Sequence, residues 1–121
     1  MDKIILTEIV AFGHHGCTPE EQEHGQNFKV DVELNLDLSK AGKKDNIAET
    51  VDYAQVLFIV ENIVAGTPRK LIETVAEEIA DTLLKRFPLI ESLKVVLHKP
   101  DAPLPIKYAD AAVEILRSRN D

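Results

Sequence analysis

The chain has 121 residues, 45% of them hydrophobic and 29% charged, enough for one domain that buries roughly two-thirds of the surface its unfolded form exposes. A single cysteine, Cys17, excludes a disulfide framework within the chain and fits a reducing compartment, and no apolar run approaches the ~18 residues that a membrane span requires. Twenty-one acidic against 14 basic side chains leave a net charge of −7, which repels phosphate backbones and makes nucleic acid a poor partner.

The first residues, Met1-Asp2-Lys3 followed by a mixed polar and apolar run, lack the apolar h-region of a signal peptide, so a cytoplasmic protein is expected. An opening strand ends near Gly13. Ile4, Leu6, Val10 and Phe12 share a parity in it, whereas Thr7-Glu8, Ile5 and Ile9 break the alternation. Thr18-Pro19-Glu20-Glu21 reads as a capping box, with proline at the first helical position and glutamate at the third, before Gly25 closes a short turn. The second strand is cleaner: Phe28, Val30, Val32, Leu34, Leu36 and Leu38 alternate with polar residues, giving one dry face and one wet face. Residues 39–46 are polar and turn-forming, which predicts a surface loop.

Asp52 with Gln55 three residues on reads as an N-cap pair, and Val56, Ile59, Val60 and Ile63 recur at helical spacing until Gly66, so a first helix carries Tyr53 in its opening turn. Leu71, Ile72, Val75, Ile79, Leu83 and Leu84 mark a second helix with Glu73 in its first turn, ended by Pro88. Leu93, Val95 and Leu97 give a third strand cut off by Pro100, an extended loop with three prolines follows over 100–105, and a fourth strand is predicted over 108–116 with Ala111, Val113 and Ile115 on one face. The order strand, strand, helix, helix, strand, strand offers no simple crossover unit. It predicts an α+β fold, a four-stranded antiparallel sheet with two helices on one face, forming one domain over residues 1–121. Its open edges need cover or pairing with a second copy.

Lys99 follows Leu93, Val95 and Leu97 at a spacing of two, so it sits on the dry parity at a strand end, where a desolvated lysine can serve proton transfer. The competing reading is a lysine frayed into solvent by Pro100. Glu73 is accounted for by the positive end of a helix and the Tyr53 ring by covering a core edge, whereas the spacing at Glu21 fits capping and catalysis about equally. His14, His15 and Cys17 invite a zinc hypothesis, but neighbouring strand side chains face opposite ways and no CxxC or HxxxH spacing supports it. Neither a GxxxxGK[ST] phosphate loop nor a G-x-S-x-G elbow is present.

The segments Gly13-His14-His15-Gly16, Gly25-Gln26-Asn27-Phe28-Lys29-Val30-Asp31, Thr50-Val51-Asp52-Tyr53, Leu71-Ile72-Glu73-Thr74-Val75-Ala76-Glu77 and Leu97-His98-Lys99-Pro100, with Glu21, together resemble dihydroneopterin aldolase in order and spacing. The resemblance implies the tunnelling fold, whose subunit sheets join into a barrel, here an octamer of two tetrameric rings with active sites between subunits. It also implies retro-aldol cleavage of 7,8-dihydroneopterin with no metal, no cofactor and no lysine Schiff base, because the dihydropterin ring is its own electron sink. Lys99 is then a proton donor and acceptor, and Glu21 orients it. Glu73 and the backbone at Ile72 bind the pterin, and Tyr53 reaches the substrate across the subunit interface. A side activity that epimerises the side chain to dihydromonapterin is implied as well. The family often has an aromatic residue where His14 stands, and His15 reads as structural. Three rivals are an epimerase of dihydroneopterin triphosphate using Arg69, Lys70 or Lys107, a zinc-dependent pterin enzyme of the same fold, and a non-catalytic module docking through its sheet edges.

Overall fold

A computed structural model describes residues 1–120. Its frame, among the described residues, is a four-stranded antiparallel sheet in the order β1-β2-β3-β4, with β1 Lys3–Gly13, β2 Gln26–Asn35, β3 Ser92–His98 and β4 Ala112–Ser118. Two helices, α3 Tyr53–Val64 and α4 Ile72–Arg86, pack on one face of it. Phe28, Val30, Val32 and Leu34 of β2 and Leu93, Val95 and Leu97 of β3 meet Val56, Val60 and Val64 of α3 and Val75, Ile79 and Leu83 of α4 in one buried core. The period of two on the strands and of three to four on the helices is what turns these residues toward each other.

The broken alternation of the first strand has a structural cause. A β-bulge lies between Leu6 and Ile9, with Glu8 at φ 54°, so the parity flips there. Ile4, Leu6 and Ile9 pack on the core, while Val10 (53% exposed) and Phe12 (49% exposed) point to the outer face, which corrects their grouping with Ile4 and Leu6.

Two short helices join the expected elements. The first, α1 Pro19–His24, is the capped turn: Thr18 Oγ1 accepts from the Glu21 backbone N–H at 3.2 Å. Gly25 at φ 70° ends it in the left-handed region that glycine alone enters freely. The second, α2 Ser39–Lys44, occupies most of the stretch expected to be a loop, and a 3₁₀ turn follows at Ile47–Glu49. Its residues stay exposed or half-exposed, so no apolar stripe betrays a helix to periodicity; Asp45 in the left-handed region closes it, with its N–H bonded to Ala41 O. Asp52 caps α3 by accepting the Ala54 N–H at 3.0 Å. Strand β4 starts at Ala112, later than expected, and Val113 and Ile115 face the core. Likewise β2 ends at Asn35, although Leu36 stays buried beyond it and donates its N–H to Asp2 O at 3.1 Å.

Candidate active site

Lys99 stands one residue past β3, and its N–H donates to Ala111 O at 2.7 Å, carrying the β3-β4 ladder one step further. That bond stops the strand end from fraying and keeps Lys99 on the inward parity of Val95 and Leu97. Its Nζ lies 2.5 Å from Glu21 Oε2, with 16% of the lysine side chain and 7% of the glutamate side chain exposed. Lys99 is therefore turned inward rather than frayed into solvent, and Glu21 takes part in the capped turn and in the contact with Lys99 at once.

The Glu21 carboxylate has three side-chain partners. Oε1 accepts from the Thr18 hydroxyl at 3.1 Å, and Oε2 accepts from Gln26 Nε2 at 3.1 Å as well as from Lys99. Burial alone would raise its pKa, but the hydrogen bonds from Lys99, Gln26 and Thr18 outweigh burial and hold the carboxyl below its ordinary value. It is therefore an anion at neutral pH facing the Lys99 amino group, an arrangement able to store and pass a proton. Gln26 was not singled out from the sequence. The signal was there, because it is a polar residue on the dry parity of Phe28 and Val30, the same anomaly that marks Lys99. Its Oε1 is buried without a hydrogen-bond partner among the described residues.

Gly16 lets the Glu21 carboxyl approach this closely, since a Cβ there would run into it. From Gly16 the link continues to the start of α4. Its N–H donates to Arg69 O at 2.9 Å, and the Arg69 N–H donates to His15 Nδ1 at 3.0 Å. His15 is fully buried, and its Nε2 donates to Val64 O at 2.6 Å. Burial lowers its pKa, which keeps the ring neutral. Both nitrogens are thus spent on backbone groups, so His15 is a structural staple with no lone pair to offer an ion. His14 takes a separate direction, with Nδ1 2.8 Å from Gln22 O and its ring edge-on to Phe12.

Beyond the staple, α4 begins with Ile72 half-buried and Glu73 exposed in the first turn. Leu71 at the N-cap makes no side-chain cap, and the Glu73 carboxylate has no hydrogen bond among the described residues. A single chain does not bring Tyr53 to Lys99 and Glu21. It is 58% exposed and lines another, mainly apolar cleft of about 440 Å³ with Ile4, Leu38, Ile47 and Val51. Beside the ion pair is a cleft of about 160 Å³ bordered by Glu20, Glu21, His24, Gln26, Asp101 and Pro103.

A sequence profile of the family described as dihydroneopterin aldolase (FolB) matches residues 4–116. Over 120 residues the chain is 42% identical to a dihydroneopterin aldolase of Bacillus subtilis (strain 168), covering 99% of this chain and 100% of the relative. The crystal structure of E. coli dihydroneopterin aldolase in complex with neopterin superposes with a TM-score of 0.90 at 32% identity, covering 98% of this chain and 100% of that one. A dihydroneopterin aldolase from Burkholderia thailendensis bound to guanine gives 0.80 at 26% identity, covering 98% and 91%. The shared architecture is the tunnelling-fold unit that the family resemblance implied, built on the antiparallel sheet and two helices expected from the order of elements. With the match running through β1, the Glu21 turn, the start of α4 and the Lys99 strand end, the chain belongs to the dihydroneopterin aldolase family.

Proposed function

We propose that the chain cleaves 7,8-dihydroneopterin between the first two carbons of its side chain, releasing 6-hydroxymethyl-7,8-dihydropterin and glycolaldehyde, with Lys99 as the proton carrier. The observation that carries this assignment is the buried pair of Lys99 and Glu21, backed by Gln26 and Thr18. Retro-aldol cleavage removes the proton of the second carbon's hydroxyl, breaks the bond between the two carbons and needs an acceptor for the electron pair. The C6=N5 imine of the dihydropterin takes that pair, so N5 gains a proton and the first carbon becomes part of an enol-like intermediate. An ammonium beside a fixed carboxylate can give and retrieve these protons through water, and no covalent adduct is needed.

The pterin edge with N3–H and the 2-amino group presents two parallel donors, for which a free carboxylate is the matching bidentate acceptor. Glu73, exposed and unbonded at the start of α4, fills that part, with the backbone at Ile72 completing the edge. Guanine, the ligand in the Burkholderia thailendensis structure, has the same donor pair. Tyr53 meets the substrate only from a neighbouring subunit, which makes the working form an oligomer, an octamer of two rings, in the cytoplasm. There Tyr53 packs on the pterin and helps reprotonate the first carbon. Recapture of glycolaldehyde on its other face yields dihydromonapterin.

The cleft beside the ion pair favours the free pterin over its triphosphate, because Glu20, Glu21 and Asp101 border it and a polyphosphate tail would meet three carboxyl groups. Of the cations that could offset them, Arg69 is already engaged with Glu78 at 3.4 Å. Purified protein incubated with 7,8-dihydroneopterin is expected to form the two products in equal amounts, and faster than it converts the triphosphate. Absence of glycolaldehyde overturns the assignment, and preferential turnover of the triphosphate to its epimer replaces it with the sister reaction.

A further inference from the structure

The connection from β3 to β4, residues 99–111, begins with Lys99, and its two ends are gripped on opposite faces of the sheet. On the helix side Lys99 meets Glu21. On the outer side the neighbouring residue, His98, is held between two carboxylates, with Nδ1 2.6 Å from Asp110 Oδ2 and Nε2 2.7 Å from Asp31 Oδ2. Asp31 belongs to β2, and its other oxygen accepts the Glu8 N–H at 2.7 Å from the β1 bulge. A continuous chain of bonds therefore runs from β1 through β2 and β3 to the residue before the Ala111 carbonyl that receives the Lys99 N–H.

A ring with two carboxylate acceptors must donate from both nitrogens, and only the imidazolium can do so. The Asp110 bond raises the pKa of His98, burial works against it, and the Asp31 bond adds to the rise. For its part, burial would raise the pKa of Asp31, but the Glu8 N–H and His98 bring it below its ordinary value, so it stays an anion. The other charged groups that face the ring are Glu8 from the bulge and Lys29, the residue directly across on β2. Lys94, further along β3, is paired with Glu33 at 2.7 Å.

We propose that His98, clamped as an imidazolium between Asp31 and Asp110, is a positioning residue for Lys99. It fixes the root of the 99–111 connection so that the adjacent ammonium reaches Glu21 and the substrate. The proposal rests on the reading of Lys99 as the proton carrier. When the ring becomes neutral, one of the two carboxylates loses its donor. Release of Asp110 loosens the segment that holds the Lys99 backbone, and turnover falls while the pterin contacts at α4 stay in place.

The test combines spectra and kinetics on the intact protein. In the wild type, the side-chain carbon resonances of Lys99 are expected to shift with the same midpoint as the His98 ring during a pH titration. In Asp110→Asn both midpoints move together to lower pH. With neopterin affinity held within about twofold, His98→Gln lowers kcat roughly 10- to 100-fold, the cost of a misplaced proton carrier. Asp110→Asn brings the alkaline fall of kcat to lower pH, and Asp110→Glu restores the wild-type profile. Lys99 resonances indifferent to the His98 step, or a wild-type kcat and pH profile in His98→Gln and Asp110→Asn, overturn the proposal. So does a loss of stability without any change in the pH profile, which would make the clamp a plain sheet staple. Glycolaldehyde release by the wild type is scored separately: its absence sinks the aldolase reading, whereas the resonances still decide whether His98 governs Lys99.

Discussion

At the scale of single residues, Lys99 and Glu21 are a largely buried pair, and the Lys99 contact helps to hold the Glu21 carboxyl below its ordinary pKa. Removing one partner of such a pair costs about 3–5 kcal/mol, because the remaining charge is left buried and uncompensated. Lys99→Ala is therefore expected to lose stability in urea unfolding, and adding Glu21→Gln, which neutralises the stranded carboxylate, should recover much of the loss without restoring turnover. An unchanged unfolding midpoint in Lys99→Ala contradicts the pairing. Glu73→Ala should behave differently, weakening neopterin binding by about 1.5–3 kcal/mol, the worth of hydrogen bonds to a charged group. Its stability should hardly change, because Glu73 is exposed and unbonded in the free chain. Equilibrium titration separates the two effects.

The histidines make a pH prediction of opposite sign at two positions. His15 has a lowered folded pKa, so its contribution to stability is present above the ordinary value of 6.5 and is lost as pH falls below it, when the unfolded chain takes up the proton first. His98 has a raised folded pKa, so its contribution is present below 6.5 and is lost as pH rises through the folded value. The share of stability that these two rings control should therefore peak near pH 6.5. Urea unfolding across pH should show His98→Gln flattening the alkaline limb and leaving the acid limb in place. A wild-type curve that falls on neither side removes both roles.

At the scale of elements, the start of α1 and the start of α4 are sewn together by Gly16, His15 and Arg69, which links the Lys99–Glu21 pair to the turn proposed to bind the pterin. Gly16→Ala pushes a methyl group into the Glu21 carboxyl and is expected to cost about 1–3 kcal/mol and to lower turnover as well. A thermal melt with parallel kinetics checks it, and an undisturbed variant would show that the carboxyl position is not critical. Elements with a buried stripe, such as β2, α3, α4 and β3, were legible in the sequence because burial imposes a period. The helix α2 was not, since it buries nothing, and β4 began later than its pattern indicated because Asp110 is drawn to His98 instead of entering the ladder. Lys99 and Gln26 are visible as polar residues on a dry parity. The roles proposed for Glu73 and Tyr53 are not, because an exposed glutamate at a helix start and an exposed tyrosine beside a cap are ordinary until a ligand or a neighbour is supplied.

At the scale of the whole molecule, one chain leaves β1 and β4 as open edges, with Ile5 (61%), Val10 and Phe12 exposed on one and Leu116 (65%) on the other. Open, apolar edges invite pairing with further copies. Leu116→Lys is expected to leave the core intact while reducing the assembled size in light scattering, and turnover should fall with it, since Tyr53 would lose access to the site of its neighbour. A variant of unchanged size and activity would mean that the β4 edge takes no part in assembly.

The central claim is that Lys99 carries the proton in cleavage and is dispensable for holding the pterin. Its most direct test is glycolaldehyde release from 7,8-dihydroneopterin by wild type and Lys99→Ala side by side, with neopterin affinity measured on the same preparations. Lys99→Ala is expected to lose turnover by about 10²- to 10⁴-fold, the range for removing a general acid-base group, at an affinity close to that of the wild type. Near-normal glycolaldehyde release by Lys99→Ala would contradict it.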